Sequence, residues 1–91
     1  MDNRDMNGTK ANRPNDYDTK SLVVLFGLKI RSIRLQMSLS QDAFADEIGF
    51  HRTYLGQIER AEKNISLKGI ERICKALKIN PKDLFDFTDI L

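Results

Sequence analysis

The sequence predicts an all-α fold of five short helices. After Ser21 the apolar residues recur at steps of three and four, which places them on one face of a helix. Residues suited to cap helices separate these apolar segments, and no segment alternates apolar and polar residues as a half-buried strand does. A chain of 91 residues with 41% hydrophobic content is expected to form one domain with a modest core.

Residues 1–20 are interpreted as a flexible N-terminal tail ahead of a domain that spans residues 21–91. The tail contains few apolar side chains among its Asn, Asp, Gly, Pro and Lys residues. Its four basic and four acidic residues cancel. This balance weakens the alternative that the tail is a basic arm that grips a phosphate backbone.

Helix 1 is predicted to begin after Ser21, and helix 2 to span residues 41–48 after Ser40, since serine is a favoured N-cap. The predicted core face of helix 1 consists of Leu22, Phe26, Ile30, Ile33 and Met37. The apolar face of helix 2 consists of Phe44, Ala45 and Ile48. Gly49 fits the left-handed conformation that ends a helix, because it has no Cβ to clash there.

Helix 3 is predicted to span residues 52–60, and helix 4 to follow Ser66 as its N-cap. The apolar face of helix 3 consists of Leu55 and Ile58, and that of helix 4 of Leu67, Ile70, Ile73, Cys74 and Leu77. Asn80 followed by Pro81 predicts a last short helix, because Asn is a favoured cap and Pro is favoured at the first helical position. The core residues expected from this helix are Leu84 and Phe85.

The composition argues against an enzyme or a metalloprotein. His51 is the only histidine, and the only cysteine, Cys74, lies on the apolar stripe of helix 4, which excludes an internal disulfide or a multi-cysteine metal site. We therefore expect no catalysis, no cofactor and no metal. No apolar run is long enough to span a membrane and the N-terminus lacks a signal-peptide pattern, so a cytoplasmic protein is expected.

The charge is small in total but uneven along the chain. The net charge of +2 does not by itself indicate a nucleic-acid partner. Between Ser21 and Lys82 there are eleven Lys or Arg and six Asp or Glu, whereas Asp83, Asp86 and Asp89 make the end acidic. The two parts are expected to face different partners.

Helices 2 and 3 have the spacing of a DNA-reading pair. Two short helices joined by a turn that contains glycine form a helix-turn-helix, whose second helix lies in the major groove. Here Gly49, Phe50 and His51 form the turn, and the small Ala45 allows the two helices to cross closely. These features together predict that helix 3 is a recognition helix.

The same residues resemble the phage-repressor-type, or xenobiotic-response-element, helix-turn-helix family. The resemblance covers residues 25–85 and rests on IRSIRLQMSLSQDAFADEIGFHRTYLGQIER followed by SLKGIERICKALKINPKDLF. It implies a compact five-helix, lambda-repressor-like domain. More narrowly, RTYLGQIERAEKNISL is similar to the controller proteins of restriction-modification systems. This implies a homodimeric transcription regulator that binds a pseudo-palindromic operator in double-stranded DNA, with RNA polymerase as a further candidate partner.

The resemblance assigns the outward side of helix 3 to DNA bases. Arg52, Thr53 and Gln57 match the positions from which the family's recognition helix reaches base edges, and Tyr54 is assigned to a phosphate or to a deformable base step. Arginine can donate two hydrogen bonds to guanine, glutamine can pair with adenine, and threonine can bond a base or touch a thymine methyl. The alternative is a solvated polar face.

Further positions are assigned to the DNA backbone and to the support of helix 3. The expected phosphate contacts are Gln41, His51, Lys63, Asn64 and Ser66. His51 is also a weak candidate for the N-cap of helix 3. Arg34 and Glu59 match a family salt bridge that ties helix 1 to the end of helix 3. Gly56 lies inside helix 3 at a cost of about 1 kcal/mol relative to alanine, and either permits close approach to DNA or is merely tolerated.

Apolar residues near the C-terminus are expected to form the dimer interface, because surplus apolar surface marks a partner contact. These residues are Ile79, Phe87, Ile90 and Leu91. The alternative is that they fold back on their own core. Two other functions also stay open, namely a phage-type repressor and an antitoxin-like protein-binding module with secondary DNA binding.

Overall fold

Residues 21–90 are described by a computed structural model, and within that range the chain forms helices joined by turns. The helices are α1 (Leu22–Gln36), α2 (Gln41–Ile48), α3 (Arg52–Glu59), α4 (Leu67–Leu77) and α5 (Pro81–Leu84). The predicted five-helix, all-α architecture is confirmed. The tail predicted for residues 1–20, and Leu91, lie outside the described residues.

Side-chain caps fix where four of the helices begin. The hydroxyls of Ser21, Ser40 and Ser66 each accept a hydrogen bond from the backbone N–H three residues later, at 3.2, 3.1 and 3.0 Å. The Asn80 side chain accepts from the Lys82 N–H at 2.8 Å. These bonds satisfy donors that the start of a helix otherwise leaves unpaired. The predicted caps are confirmed.

The core forms where the helices pack in pairs. α3 packs against α1 and α2, and α4 packs against α2 and α5. The largest fully buried side chains come from all five helices and are Ile30, Phe44, Ile48, Leu55, Ile73 and Leu84. Burying a side chain of this size stabilises the fold by about 1.5–3 kcal/mol. Cys74 is also buried, which raises the pKa of its thiol, as suits a core residue.

Gly27 sets the distance between α1 and α3. A Cβ at this position would lie 2.5 Å from the Ile58 carbonyl oxygen and 2.9 Å from that of Glu59. Only a residue without a side chain lets the backbone of α1 approach the end of α3 so closely. The apolar spacing of helix 1 did not predict this contact, because the contribution of Gly27 is the absence of a side chain.

The buried face of α1 differs from the predicted one. The residues buried on it are Leu25, Phe26, Gly27, Ile30 and Arg34. Leu22 and Met37, both predicted in the core, are exposed. α1 has 15 residues and α3 has 8, so α3 cannot cover both ends of α1. Leu67, also predicted in the core, is 83% exposed at the start of α4.

The C-terminal segment folds back on the domain. Phe87 is 6% exposed and Phe85 is 37% exposed, which reverses their predicted roles. The Asp86 carboxylate accepts hydrogen bonds from the Thr88 N–H at 3.0 Å and from the Thr88 hydroxyl at 2.8 Å, and this turn returns the chain. The centre of the Phe87 ring then lies 6.2 Å from the centre of the Phe85 ring. The interpretation of Phe87 as surplus apolar surface is therefore corrected, because this residue folds back on its own core.

The other described members of the expected dimer interface are half-buried. Ile79 packs against the core. Ile90 lies beside Leu28 and Leu35 in a shallow cleft next to α1. These contacts hold much of the C-terminal apolar surface against its own chain.

Within residues 21–90 no helix is long and apolar enough to cross a bilayer. In the same part of the chain, no group of His, Cys, Asp and Glu side chains is arranged to hold a metal ion.

Candidate nucleic-acid interface

The turn between α2 and α3 is held by its own backbone and by α4. Gly49 is left-handed, with a φ of 76°, and ends α2 as predicted. The Phe50 N–H donates to the Ala45 carbonyl at 2.8 Å, and Arg72 Nη1 donates to the Gly49 carbonyl at 2.8 Å. The Arg72 guanidinium also lies 5.9 Å from the centre of the Phe50 ring, within cation–π range. These contacts fix the orientation of α3 relative to α2.

α3 has one buried side and one side that is accessible to solvent. Leu55 and Ile58 are buried, as predicted. Arg52 and Thr53 are exposed in the first turn, and Gln57, one turn further on, is half-buried. The candidate base contacts are thus held on the surface by a helix whose inner side is anchored in the core.

His51 caps α3. Its Nδ1 accepts a hydrogen bond from the Thr53 N–H at 3.2 Å. A neutral imidazole that accepts at Nδ1 carries its proton at Nε2, so Nε2–H is the donor that remains for a phosphate. The N-cap considered for His51 is therefore present. If His51 contacts a phosphate as expected, the contact is made by Nε2–H.

A hollow between the starts of α3 and α4, which we call the basic cleft, adjoins the first turn of α3. It measures about 360 Å³ and is lined by Gly49, Phe50, His51, Tyr54, Ser66, Lys68, Gly69 and Arg72. Two of these residues, Lys68 and Arg72, are cationic, and none is acidic. Such a surface attracts anions. The sequence pattern does not single out Lys68 or Arg72, because only the packing of α4 on the turn brings them beside His51.

Tyr54 forms one wall of the basic cleft. The centre of its ring lies 5.3 Å from the centre of the Phe50 ring, with 46° between the two ring planes. Tyr54 also packs against the core. Tyr54 is half-buried. The ring is therefore fixed on the side of α3 that faces α4.

The end of α3 is tied to α1 by a buried ion pair. Arg34 Nε and Nη2 donate to the two carboxylate oxygens of Glu59 at 2.7 and 3.0 Å. The two side chains are 11% and 3% exposed. Arg34 Nη1 also donates to the Leu39 carbonyl at 3.1 Å. Hydrogen bonding to Glu59 raises the pKa of Arg34 above its ordinary value. This is the bridge that the resemblance implied.

Gln41 is bound to the same carboxylate. Its Nε2 donates to Glu59 Oε1 at 3.1 Å, and its Oε1 lies beside Gly56, 3.6 Å from where a Cβ on that glycine would be. Gln41 thus joins the start of α2 to α3. The phosphate contact expected from its side chain requires this amide group to serve both partners or to leave Glu59.

The loop after α3 borders a second hollow, which we call the apolar cleft. It measures about 320 Å³ and is lined by Leu22, Val23, Phe26, Ile58, Lys63, Asn64, Ile65, Leu67, Ile70 and Phe85. Lys63 and Asn64, both expected at phosphates, are exposed at its edge. Ser66, a third expected phosphate contact, uses its hydroxyl to cap α4 at the Gly69 N–H. Lys63, Asn64 and Ser66 therefore lie in a loop between α3 and an apolar surface.

Comparison with known proteins identifies the family. Residues 30–84 match the helix-turn-helix family. The control protein C.BamHI of Bacillus amyloliquefaciens is 52% identical over 73 residues, which are 79% of this chain and 90% of that protein. The chain belongs to the controller-protein family. The family resemblance inferred from the sequence is confirmed.

Solved controller proteins also share the fold. The restriction-modification controller protein C.AhdI of Aeromonas hydrophila is 39% identical, with a TM-score of 0.63 over 68% of this chain and 94% of that one. The controller protein C.Esp1396I, solved as a tetramer in complex with its natural 35 base-pair operator, is 30% identical, with a TM-score of 0.66 over 74% of this chain and 88% of that one. The predicted helix-turn-helix fold is therefore that of the controller-protein family.

Proposed function

We propose that this protein is a sequence-specific DNA-binding transcription regulator, the controller of a restriction-modification system, and that it binds a pseudo-palindromic operator as a homodimer. The proposal rests on the two sides of α3, because the inner side is buried while Arg52 and Thr53 remain exposed. The chain that presents this helix is 52% identical to a control protein. Such a role involves no catalysis and implies a cytoplasmic protein.

In this proposal α3 enters the major groove and its first turn reads base edges. Arg52 donates to O6 and N7 of a guanine, and Gln57 pairs with an adenine one turn further along the helix. Thr53 lies between them and contacts a base or a thymine methyl. A helix pointed into the groove by its N-terminal turn presents these side chains first.

Phosphate contacts are proposed on both sides of α3. His51 Nε2–H and the wall of the basic cleft near Tyr54 face one strand, while Lys63 and Asn64 in the following loop face the other. The start of α2, at Gln41, adds backbone N–H groups that favour an anion. These contacts set the register of the protein on DNA, and α3 supplies the sequence preference.

The homodimer is proposed to form through the apolar cleft rather than through the C-terminal residues first expected there. Leu67 is 83% exposed, and Leu22 and Phe85 beside it are also exposed. Water-exposed apolar side chains that cluster on a small protein indicate a partner surface. We expect a two-fold axis at this cleft to place Lys63 and Asn64 of each protomer beside the interface and to bring both copies of α3 to one face of the DNA.

Selection of bound duplexes from a random pool tests the function. We expect a pseudo-palindromic site with half-sites about 34 Å apart, one helical turn. In titrations against that site, Arg52→Ala should weaken specific binding by about 1–3 kcal/mol and relax the preference at one base pair of each half-site. A pool that yields no preferred sequence would overturn the proposal.

A further inference from the structure

Arg52 has an acidic neighbour on the preceding helix. Asp42 lies in the first turn of α2, and its Oδ1 is 3.1 Å from Arg52 Nε. Asp42 Oδ2 is 3.5 Å from Arg52 Nη1. Both side chains are about two-thirds exposed, at 65% for Arg52 and 66% for Asp42. The pair therefore bridges the two helices of the helix-turn-helix on their solvent side.

This ion pair is too exposed to contribute much to the stability of the fold, because water screens both charges. The attraction in this pair is mainly between the two charges. Of the two contacts, the one with hydrogen-bond geometry is the longer, from Nη1 at 3.5 Å. A guanidinium has five N–H donors, so Asp42 can attract Arg52 and leave enough donors for the two acceptors on a guanine edge.

We propose that Asp42 is a positioning residue for base reading, which holds the Arg52 side chain in place before DNA arrives and stays beside it when it bonds to guanine. This inference rests on the proposed function. A free arginine loses rotamer freedom when a base immobilises it, and this loss weakens binding. Asp42 lowers that loss because Arg52 is already restrained in the free protein. The benefit appears only where Arg52 makes its base contact, so Asp42 increases discrimination rather than general affinity.

The charge of Asp42 has a second, opposite effect. A carboxylate beside the DNA repels phosphates at every sequence, so its removal strengthens binding to all duplexes. Asp46 provides the matched control, because it is exposed on the same helix one turn later. Asp42→Asn and Asp46→Asn remove the same charge from α2, but only the first removes the partner of Arg52.

The test measures discrimination. Wild type, Asp42→Asn, Asp46→Asn, Arg52→Ala and the double variant D42N/R52A are titrated with two duplexes, the selected operator and the same operator changed at the base pair where Arg52→Ala loses its preference. We expect Asp42→Asn to lower the ratio of the two affinities about tenfold for a dimer with two such arginines, and Asp46→Asn to leave it unchanged. In the Arg52→Ala background, Asp42→Asn should have no further effect on the ratio.

Three results would overturn the role of Asp42: an unchanged ratio in Asp42→Asn, an equal fall in Asp46→Asn, or a further fall in the double variant. Circular dichroism of each variant shows whether α2 is intact, since Asp42 lies in its first turn. A wild-type protein that binds both duplexes equally would instead overturn the proposed function. The two failures are thus distinguishable.

Discussion

Glu59 joins α1 and α2 to the end of α3 through one carboxylate. It accepts two hydrogen bonds from Arg34 on α1 and one from Gln41 at the start of α2. Its side chain is only 3% exposed, so water cannot replace these donors. The orientation of α3 relative to α1 and α2 therefore depends on this buried carboxylate.

Neutralising this carboxylate should be strongly destabilising. We expect Glu59→Gln to lower the free energy of unfolding by about 3 kcal/mol, because it leaves the buried Arg34 charge without its partner. Urea denaturation followed by circular dichroism measures the change. Glu62→Gln is the control, because Glu62 pairs with Arg60 on the surface and its loss should leave the unfolding midpoint unchanged. Equal midpoints for the two variants would contradict the role given to Glu59.

α1 and α3 contain Gly27 and Gly56 in their interiors, and the surroundings of these two glycines differ. At Gly27 a Cβ would meet the backbone of α3, with the Ile58 carbonyl oxygen only 2.5 Å away. At Gly56 it would meet the end of the Arg60 side chain at 3.0 Å and Gln41 at 3.6 Å. A flexible side chain can move aside, whereas a helix backbone moves only as a whole.

The same substitution should therefore have opposite effects in α1 and α3. We expect Gly27→Ala to lower the free energy of unfolding by about 1–3 kcal/mol through overpacking, and to weaken operator binding because α3 is displaced. We expect Gly56→Ala to raise it by up to about 1 kcal/mol through helix propensity. Thermal unfolding of both variants tests this contrast, and a stabilising Gly27→Ala would refute the close approach of α1 and α3.

Local signals predicted the elements well and their contacts less well. The caps at Ser21, Ser40 and Ser66 and the left-handed Gly49 depend on neighbours within a few residues, so the sequence pattern contains them. Three other features depend on how the helices pack against one another. They are the exposure of Leu22, the burial of Phe87 and the proximity of Lys68 to His51. The spacing of apolar residues shows that one face of a helix is apolar. It does not show whether another helix is long enough to cover that face.

At the scale of the whole molecule, two apolar regions within residues 21–90 are candidates for contact with a second copy. One is the apolar cleft, where Leu67 is 83% exposed and Leu22 and Phe85 lie beside it. The other is the C-terminal region first expected, where Ile90 is half-buried beside Leu35. The proposed dimer uses the first region, because more of its apolar surface is left uncovered by its own chain.

Charge placed in each region distinguishes them. We expect Leu67→Asp to convert the dimer to a monomer, because an aspartate in a desolvated interface is strongly unfavourable. Ile90→Asp serves as the matched variant on the other region and should leave the dimer intact. Sedimentation velocity measures both. A monomeric Ile90→Asp beside a dimeric Leu67→Asp would return the interface to the C-terminal residues.

The most direct test of base reading by α3 is a crystal structure of the full chain bound to its selected operator. We expect α3 in the major groove, with the Arg52 guanidinium within hydrogen-bonding distance of guanine O6 and N7 and with Gln57 at an adenine. An α3 that faces away from the groove, or an Arg52 that contacts only phosphates, would contradict the assignment.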